Sequence, residues 1–176
     1  MRPRCYLAGP LGFTEPGRDY LRRVYLPALV GVVEPVDPWA LTTADEILAA
    51  RRDGRQRELA LEIGRRNAAA IRSCTLLAAL LDGQELDSGT AAEVGYGAAL
   101  GLCCFGLRTD LRQHGEEGVA VNLQVEALIV DSGGEIVGSL AELVVALAAT
   151  ADRGSATGVQ PTVAASDVTS RVEGEM

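Results

Sequence analysis

Two kinds of hydrophobic pattern alternate along the chain. The segment "CTLLAALL", residues 74–81, is apolar throughout, which is typical of a strand that is covered on both faces in a parallel sheet. Residues 18–30 instead place Leu21, Val24 and Ala28 at the three- to four-residue spacing of a helix face. This alternation of short apolar runs with amphipathic segments predicts a mixed α/β protein.

The same patterns predict an ordered series of elements. Predicted strands cover residues 5–10, 31–36, 74–81, 102–107 and 131–137, the last with its leading turn, and predicted helices cover residues 18–30, 44–52, 56–72, 89–100, 122–130 and 139–150. Residues 122–130 are ambiguous between helix and strand, and a helix is favoured because a turn and a strand follow. Ser139 and Glu142 have the spacing of a capping box, and Gly101 is expected just after the end of its helix.

Strands and helices that alternate in this way indicate a parallel sheet. We predict an α/β fold of the three-layer, doubly wound type (flavodoxin-like or Rossmann-like), with five parallel strands and helices on both faces. Ligands bind at the carboxyl ends of such strands, here residues 8–13, 37–39, 82–87 and 107–110. Residues 1–150 form one predicted domain, and residues 151–176 lose all periodicity and are predicted to be a disordered tail.

The composition excludes several classes of function. The chain has 176 residues, 48% of them hydrophobic, which is enough for one domain with a core. Its net charge of −8 and its pI near 4.7 argue against a non-specific nucleic-acid binder. No apolar run reaches the roughly 18 residues of a membrane span, and the N-terminus has no signal-peptide pattern. We expect a cytoplasmic protein without nucleic-acid or membrane partners.

The four cysteines do not form a metal motif. Cys5, Cys74, Cys103 and Cys104 contain no C-x-x-C pair, and the single His114 cannot complete a Cys/His zinc set. Three of the four lie in apolar runs, which predicts buried, reduced thiols in a reducing compartment. No metal and no cofactor is predicted.

The acidic residues after the third strand are the main candidates for chemistry. Glu93 lies about one turn into the following helix, Asp87 lies in the loop before it, and both are expected to face Tyr6 at the strand ends. A carboxylate there can act as a nucleophile, a base or a hydroxyl binder, but Asp87 can equally cap the helix and Glu93 can interact with its dipole. The small residues around Glu93, including Gly95 and Gly97, are expected to leave room for a ligand.

The glycines of this loop do not form a known phosphate-binding motif. The segment "DGQELDSGTAAEVG", residues 82–95, fits neither G-x-G-x-x-G nor G-x-x-x-x-G-K-[ST], and no lysine follows it. A dinucleotide site or a P-loop is therefore disfavoured.

Four segments together resemble the nucleoside 2-deoxyribosyltransferase family. They are "YLAGPLGF" at the first strand end, "LDGQELDSGTAAEVGYGAALG" in the middle, "GLRTDLR" after it and "VNLQVEALI" beyond, and the resemblance spreads over residues 5–145. The D-S-G-T-x-x-E-x-G pattern is specific in combination with the other segments. A related G-T-x-x-E also occurs in cytokinin riboside phosphate phosphoribohydrolases.

The resemblance implies a mechanism with a covalent intermediate. The glutamate of the motif, which matches Glu93, attacks C1′ of a 2′-deoxynucleoside and expels the base, and a second base then takes up the deoxyribosyl group, much as in a retaining glycosidase. Asp87 matches an aspartate that binds sugar hydroxyls and assists proton transfer. Tyr6 matches a tyrosine that orients the nucleophile, although a strand tyrosine can also be a plain core residue.

The same resemblance implies a set of residues that bind substrate. Gly9 and Phe13 match positions that line the base pocket, and Asp37 and Trp39 lie near the second loop that faces the base. Trp39 can equally be a packing anchor. The other predicted substrate-binding residues are Asp82, Ser88, Gly89, Asn122 and Gln124, and Asn122 matches an asparagine that reaches the sugar from a neighbouring subunit, although by itself it reads as a helix N-cap.

One position departs from the family pattern. Some members carry an aspartate in the helix before the third strand, which is proposed to act on the base, and the matching residue here is Asn67. A neutral amide cannot protonate a leaving purine. The resemblance therefore implies that Asp87, Asp82 or water supplies the proton, or that the base preference differs.

Two other functions compete with the transferase. The first is an N-hydrolase of nucleoside 5′-monophosphates from the same superfamily, for which Arg18, Arg108 and the pair Ser88-Gly89 are candidate phosphate donors. The second is a non-catalytic sensor of nucleotide derivatives, which would be expected to lack the nucleophile. The resemblance favours small-molecule partners, 2′-deoxynucleosides and free nucleobases, and a dimer-based homo-oligomer, up to a hexamer, in which Asn122 acts in trans.

Overall fold

A five-stranded parallel sheet organises the chain. The computed structural model describes residues 2–112 and 115–157. Its strands are β1 (Arg4–Ala8), β2 (Glu34–Val36), β3 (Leu76–Leu80), β4 (Cys103–Leu107) and β5 (Ile136–Val137). The helices are α1 (Glu15–Tyr20), α2 (Leu26–Leu29), α3 (Ala44–Arg52), α4 (Gln56–Arg72), α5 (Ser88–Ala99), α6 (Leu123–Asp131) and α7 (Leu140–Thr157). Short 3-10 turns at Pro10–Phe13 and Pro38–Ala40 follow β1 and β2.

The strand order is β2-β1-β3-β4-β5, and every pair is parallel. This is the flavodoxin-like order, so the predicted doubly wound α/β fold is confirmed. In the register, Tyr6 of β1 pairs with Val36 on one side and with Leu77 on the other. Pro35, which has no N–H to donate, lies in the edge strand β2, where a proline is tolerated.

Alternate side chains of the strands form two cores, one on each face of the sheet. Tyr6 and Leu77 point into the core shared with α4, α5 and α6, whereas Cys5, Leu7 and Leu76 point into the core shared with α1, α2 and α7. All five residues of β3 are buried, as its uninterrupted apolar sequence predicts. The three layers follow from this alternation.

A π-helical turn, Leu21–Tyr25, joins α1 to α2. The Leu26 N–H bonds to the Leu21 carbonyl, five residues back, and Pro27 comes directly after. A proline ring crowds the carbonyl four residues before it and offers no N–H, so a widened turn relieves that crowding. The single predicted helix over residues 18–30 is therefore a composite that begins earlier, at Glu15.

The bounds of several elements differ from the sequence-based expectation. Helices α3 and α4 match their predicted ranges, and residues 122–130 are helical as favoured. Strand β2 has only three residues, because Pro35 and the turn that follows Asp37 limit its pairing. Helix α7 runs to Thr157, so the expected boundary at residue 150 falls inside a helix. The rest of the expected tail, residues 158–176, lies outside the described residues.

Hydrogen bonds at the helix ends follow the expected caps. Gly101 has a φ of 82° after α5, and the backbone bonds Leu102 N–H to Gly97 O and Gly101 N–H to Ala98 O complete a Schellman motif. At α7, the Ser139 hydroxyl accepts from the Glu142 N–H, but the Glu142 carboxylate accepts from Gly138 rather than from Ser139. The predicted capping box is thus shifted by one residue on its return bond.

The glycines of α5 serve helix packing. A Cβ at Gly97 would lie 2.9 Å from Leu77 Cδ1, and a Cβ at Gly95 would face Leu128 Cδ1 at 3.9 Å. Gly97 therefore lets α5 approach the sheet closely, and Gly95 lies against α6. The expectation of room for a ligand is wrong for Gly97, because Leu77, Leu102 and Cys104 lie against it. The effect of the two glycines on the site is indirect, because they determine how deeply α5 is seated.

The cysteines are free thiols. Cys5, Cys74 and Cys104 are buried and Cys103 is partly buried. Burial raises the pKa of the Cys104 thiol to about 11 and raises the pKa of Cys5 further, so both stay protonated. They act as small core residues.

We predict opposite effects for the same substitution in two helices. Gly97→Ala should lower the free energy of unfolding by about 1–3 kcal/mol, because Leu77 is fully buried and has little space to move. Gly64→Ala in α4, where no atom lies within 4 Å of the added Cβ, should raise it by about 0.5–1 kcal/mol through helix propensity. Urea unfolding of both variants measures the difference. Equal changes would show that α5 is not closely packed at Gly97.

Candidate active site

Three elements that are distant in sequence meet in a crevice between β1 and β3. The strand order reverses at this point, which is where doubly wound sheets bind ligands. Tyr6 projects from β1, Asn67 from α4 and Glu93 from α5, and their polar groups converge. The expected meeting of Glu93 with Tyr6 is therefore observed.

The Glu93 carboxylate is held by two neutral donors. The Tyr6 hydroxyl donates a hydrogen bond to Oε1 over 2.6 Å, and the Asn67 Nδ2 group approaches the same oxygen at 3.5 Å. Glu93 is partly buried, and no arginine within the described residues forms an ion pair with it. Because no cation among the described residues neutralises this carboxylate, its negative charge is available to a ligand.

Burial raises the pKa of Glu93 above its ordinary value. The nearby charge of Asp87 adds to this rise, while the hydrogen bonds from Tyr6 and Asn67 oppose it by favouring the ionised form. The pKa of Tyr6 is raised as well, first by burial and then by the charge of Glu93. Tyr6 thus remains a hydrogen-bond donor at all ordinary pH values.

Asp87 caps α5. Its Oδ2 atom accepts hydrogen bonds from the Thr90 N–H at 2.8 Å and from the Thr90 hydroxyl at 2.9 Å. Both hydrogen bonds that the Asp87 side chain accepts from the described residues end on Oδ2. The structural alternative for Asp87 is therefore real, and it leaves Oδ1 free for a second role at the mouth of the crevice.

The loops after β1 and β2 form an aromatic wall. Trp39 donates from Nε1 to the Gly9 carbonyl over 3.3 Å, and its ring meets the Phe13 ring edge to face at 4.6 Å between centroids. A Cβ at Gly12 would overlap the Trp39 ring at 1.9 Å, so only glycine fits beneath it. Trp39 is thus a packing anchor, while Phe13, 69% exposed, presents a ring to solvent.

Asp37 lies at the base of this wall. Its Oδ1 atom accepts the Trp39 N–H at 3.0 Å and so caps the turn Pro38–Ala40. Burial raises the pKa of Asp37, although the Trp39 N–H and the charge of Arg22 lower it in part. Asp37 directly follows Val36, the residue of β2 that pairs with Tyr6, so it lies close to Tyr6 at the carboxyl edge of the sheet.

Asp82 is occupied by structural contacts. Its Oδ1 accepts from the N–H groups of Thr109 and Asp110 at 2.6 and 2.9 Å, and its Oδ2 accepts from the Thr109 hydroxyl at 2.7 Å. These bonds join the end of β3 to the loop after β4. Both carboxylate oxygens already accept hydrogen bonds from the protein. The geometry therefore does not support a direct contact of Asp82 with substrate, which stays a prediction.

The two arginines considered for phosphate binding also make backbone contacts. Arg108 donates to the Leu81 carbonyl at 2.6 Å and to the Arg112 carbonyl at 2.7 Å. Arg18 donates to the Gly12 carbonyl at 2.9 Å. Each arginine therefore braces a loop at the carboxyl edge of the sheet.

Asn122 begins α6 and caps it, with its Oδ1 accepting the Gln124 N–H at 3.0 Å. Both side chains are exposed. A cleft of about 520 Å³ is lined by Asn122 together with Glu85, Ala91 and Arg108, among other residues. No hydrogen bond joins Asn122 or Gln124 to Glu93 within the described part of this chain, so the structure does not bring them to the Glu93 carboxylate of the same chain.

Ser88 and Gly89, the first two residues of α5, are exposed beside Asp87. The residue that sequence reasoning overlooked is Thr90, which is 1% exposed and bonds to Asp87 twice. Its position three residues after an aspartate N-cap is the signal that could have identified it. Gly12 was overlooked too, because its role depends on where Trp39 packs.

The described residues contain no group of three or more His, Cys, Asp or Glu side chains suited to a metal ion. None of their helices is long and apolar enough to cross a membrane.

Comparison with known proteins agrees with this class of fold. The model of the family described as nucleoside 2-deoxyribosyltransferase matches residues 5–156. The chain belongs to the nucleoside 2-deoxyribosyltransferase family. Among proteins with curated annotation, none matches the sequence significantly.

Solved structures with the same fold include three of interest. A 2-desoxiribosyltransferase from Leishmania mexicana is 25% identical, with a TM-score of 0.59, over 85% of this chain and 97% of that one. A conserved protein from Enterococcus faecalis V583 is 23% identical, with a TM-score of 0.61, over 85% and 99%. A CMP N-glycosidase from Clostridium botulinum is 18% identical, with a TM-score of 0.50, over 84% and 98%.

The Tyr6–Glu93 bond leads to a prediction about pH. If ionised Glu93 is the reactive form, kcat/KM should fall on the acidic side with a pKa above the ~4.3 of an ordinary glutamate, because burial raises it. Tyr6→Phe removes the donor that opposes this rise, so the acidic limb should move to higher pH and activity at neutral pH should fall roughly 10- to 100-fold. A pH–rate profile of both proteins measures this, and an unmoved limb would contradict it.

Proposed function

We propose that this protein transfers a 2-deoxyribosyl group between nucleobases through a covalent ester at Glu93. The observation that supports this most strongly is the Glu93 carboxylate itself, which is partly buried in the crevice and held by Tyr6 and Asn67 without a cationic partner. An oxocarbenium-like transition state needs an anion beneath C1′, and an anion paired with arginine would be neutralised. The family to which the chain belongs makes nucleosides and nucleobases the expected substrates.

The reaction balances in two displacements. In the first, a Glu93 oxygen bonds to C1′ while the bond from C1′ to the base nitrogen breaks, and the base leaves with the electron pair and takes up a proton. In the second, a ring nitrogen of another base bonds to C1′, the Glu93 ester bond breaks, and the incoming base loses a proton. Glu93 is regenerated, so no net water, proton or cofactor is consumed.

Tyr6 orients the Glu93 carboxylate in this reaction, and Asp87 binds the sugar. Tyr6 orients Oε1 through its 2.6 Å bond, which leaves the other carboxylate oxygen, Oε2, to attack. Asp87 keeps Oδ2 on Thr90, and its Oδ1 is the acceptor we assign to a sugar hydroxyl. A substrate that lacks that hydroxyl should therefore lose binding energy at Asp87.

The proton for the leaving base needs an acid on the base side of the crevice. Asp82 is a poor source, because both of its oxygens already accept bonds from residues 109 and 110. Asp37 is better suited, since burial raises its pKa and it lies beneath the aromatic wall that Phe13 and Trp39 form. We assign the proton to Asp37 or to a water molecule that it binds.

The proposal includes a homo-oligomer. Asn122 and Gln124 are exposed at the start of α6, as is Leu123 between them, so this end of the helix is accessible to another subunit. These residues can therefore be supplied to a neighbouring subunit, as the resemblance implies for Asn122.

A hydrolase of nucleoside 5′-monophosphates is the second candidate. The CMP N-glycosidase that shares the fold makes this reaction plausible for the architecture, although a likeness at 18% identity extends to the fold alone. Against it, Arg18 and Arg108 are each used to brace backbone carbonyls. A non-catalytic sensor is disfavoured because the Glu93–Tyr6 pair is intact.

Base exchange tests the proposal directly. Wild-type protein incubated with deoxyinosine and free adenine should form deoxyadenosine and hypoxanthine in equal amounts, as measured by chromatography. Glu93→Gln, which still accepts the Tyr6 hydrogen bond, should lose the reaction by at least about 1,000-fold because an amide is no nucleophile.

Parallel incubations with dCMP and with dGMP separate the alternatives. Release of base from a monophosphate without exchange of deoxyinosine would replace the transferase by the hydrolase. Full exchange by Glu93→Gln would overturn the assignment of the nucleophile.

A further inference from the structure

Asn67 carries a buried oxygen that nothing in the described chain satisfies. Its Nδ2 group points to Glu93 Oε1, while its Oδ1 atom is shielded from solvent and has no hydrogen-bond partner among the described residues. Buried polar atoms of this kind are rare, because leaving an acceptor unpaired away from water destabilises a protein. An acceptor of this kind can be satisfied by a donor on a bound ligand.

The orientation of the amide follows from its surroundings. If the side chain were turned over, Oδ1 would face the Glu93 carboxylate and two acceptors would repel one another. The helix cannot rotate Asn67 away either, since Ile71, one turn further on, is 2% exposed in the core. The free oxygen is therefore a fixed feature of the crevice.

Asn67 lies on the side of Glu93 where the base is expected. Its neighbour Arg66 donates to the Leu41 carbonyl at 3.1 Å and pairs with Glu46 at 2.8 Å, which ties α4 to the segment that directly follows Trp39. Asp87 lies at the other end of the site, at the start of α5. A ligand atom close to Asn67 Oδ1 therefore belongs to the nucleobase rather than to the sugar.

We propose that Asn67 selects nucleobases that carry an N–H donor, such as an amino group, at the point facing Oδ1, while its Nδ2 group positions Glu93. This inference rests on the proposed function. The amide has an acceptor to offer and no acidic proton, so it recognises the base without protonating it. An aspartate at this place would offer a proton but would also bring a second carboxylate to within about 3.5 Å of Glu93 Oε1.

Matched acceptor bases test the selectivity. Adenine and unsubstituted purine differ by one amino group, and guanine and hypoxanthine differ by another. The wild type should use the amino base of at least one pair with a kcat/KM about tenfold higher than its counterpart, as expected for one hydrogen bond to an otherwise unpaired acceptor. Asn67→Leu, which is similar in size and has no acceptor, should bring that ratio close to one.

A stability measurement separates recognition from a structural role. Asn67→Leu removes an unsatisfied buried oxygen, which is stabilising, and the 3.5 Å donor to Glu93, which is destabilising, so its unfolding midpoint without ligand should stay close to that of the wild type. Gln56→Leu makes the same type of change at the exposed start of α4 and should leave both the base ratio and kcat/KM unchanged. A lower midpoint for Asn67→Leu, with an unchanged base ratio, would show a structural residue and overturn the inference.

Asn67→Asp adds a readout that packing alone would not move. The new carboxylate would lie beside Glu93 of α5, which Tyr6 of β1 also contacts. The charges of Asp87, before α5, and Asp37, after β2, act on that pair, and the neighbouring Arg66 is paired with Glu46. Two carboxylates at this distance cannot both ionise easily, so the acidic limb of kcat/KM should move to higher pH. An unmoved limb would contradict the contact between Asn67 and Glu93.

The outcomes distinguish the two proposals. Exchange by the wild type with equal use of all four bases would overturn the inference about Asn67 and leave the transferase intact. Absence of exchange with every base would overturn the transferase and the inference together.

Discussion

A partly buried carboxylate without a cation is the constraint on which this site depends. Glu93 loses solvation, and the donors that offset the loss are the Tyr6 hydroxyl and the Asn67 amide, both neutral. Neutral donors favour the anion without cancelling its charge, so the charge remains available to a developing cation. They come from β1 and α4, while Glu93 comes from α5, and only the order β2-β1-β3-β4-β5 brings these three elements to one crevice.

The same constraint acts on the stability of the protein. A glutamate whose folded-state pKa is raised makes the folded state bind its proton more tightly than the unfolded state does. The ionisation of Glu93 therefore costs no stability below pH ~4.3. The cost grows as the pH rises through the raised pKa and then stays constant. The unpaired oxygen of Asn67 adds a second cost. Stability given up at a site of this kind is common where function needs a desolvated group. The fully buried β3 and the close seating of α5 at Gly97 offset it.

The fold was accessible from the sequence because its signals are local. An apolar run such as residues 76–80 has few structural alternatives, and the range of α4 follows from the spacing of its apolar residues. The meeting of Tyr6 and Glu93 was also predictable, since Tyr6 lies on β1 and Glu93 lies in the helix that follows the neighbouring strand β3. The extension of α7 to Thr157 was not predictable from the sequence, because residues 151–157 lack hydrophobic periodicity and nevertheless form a helix.

What the sequence could not indicate were the partners of side chains across the fold. Gly95 and Gly97 looked like empty space, and whether they face a ligand or a neighbouring element depends on the rotation of α5. Asp82 looked like a free acid, yet residues 109 and 110, which come after the next strand, take up both of its oxygens. The free oxygen of Asn67 depends on the positions of α4 and α5 together, and no spacing in the chain encodes it.

Trapping the proposed deoxyribosyl ester is the direct test of Glu93 as the nucleophile. Wild-type protein is mixed with a 2′-deoxynucleoside in the absence of acceptor base, quenched in acid within milliseconds, digested and analysed by mass spectrometry. We predict one equivalent of released base and a mass increase of one deoxyribosyl group on the peptide that contains Glu93. This mass increase should disappear when a second base is added before the quench. Stoichiometric release of base with no adduct on that peptide, or the same burst in Glu93→Gln, would contradict it.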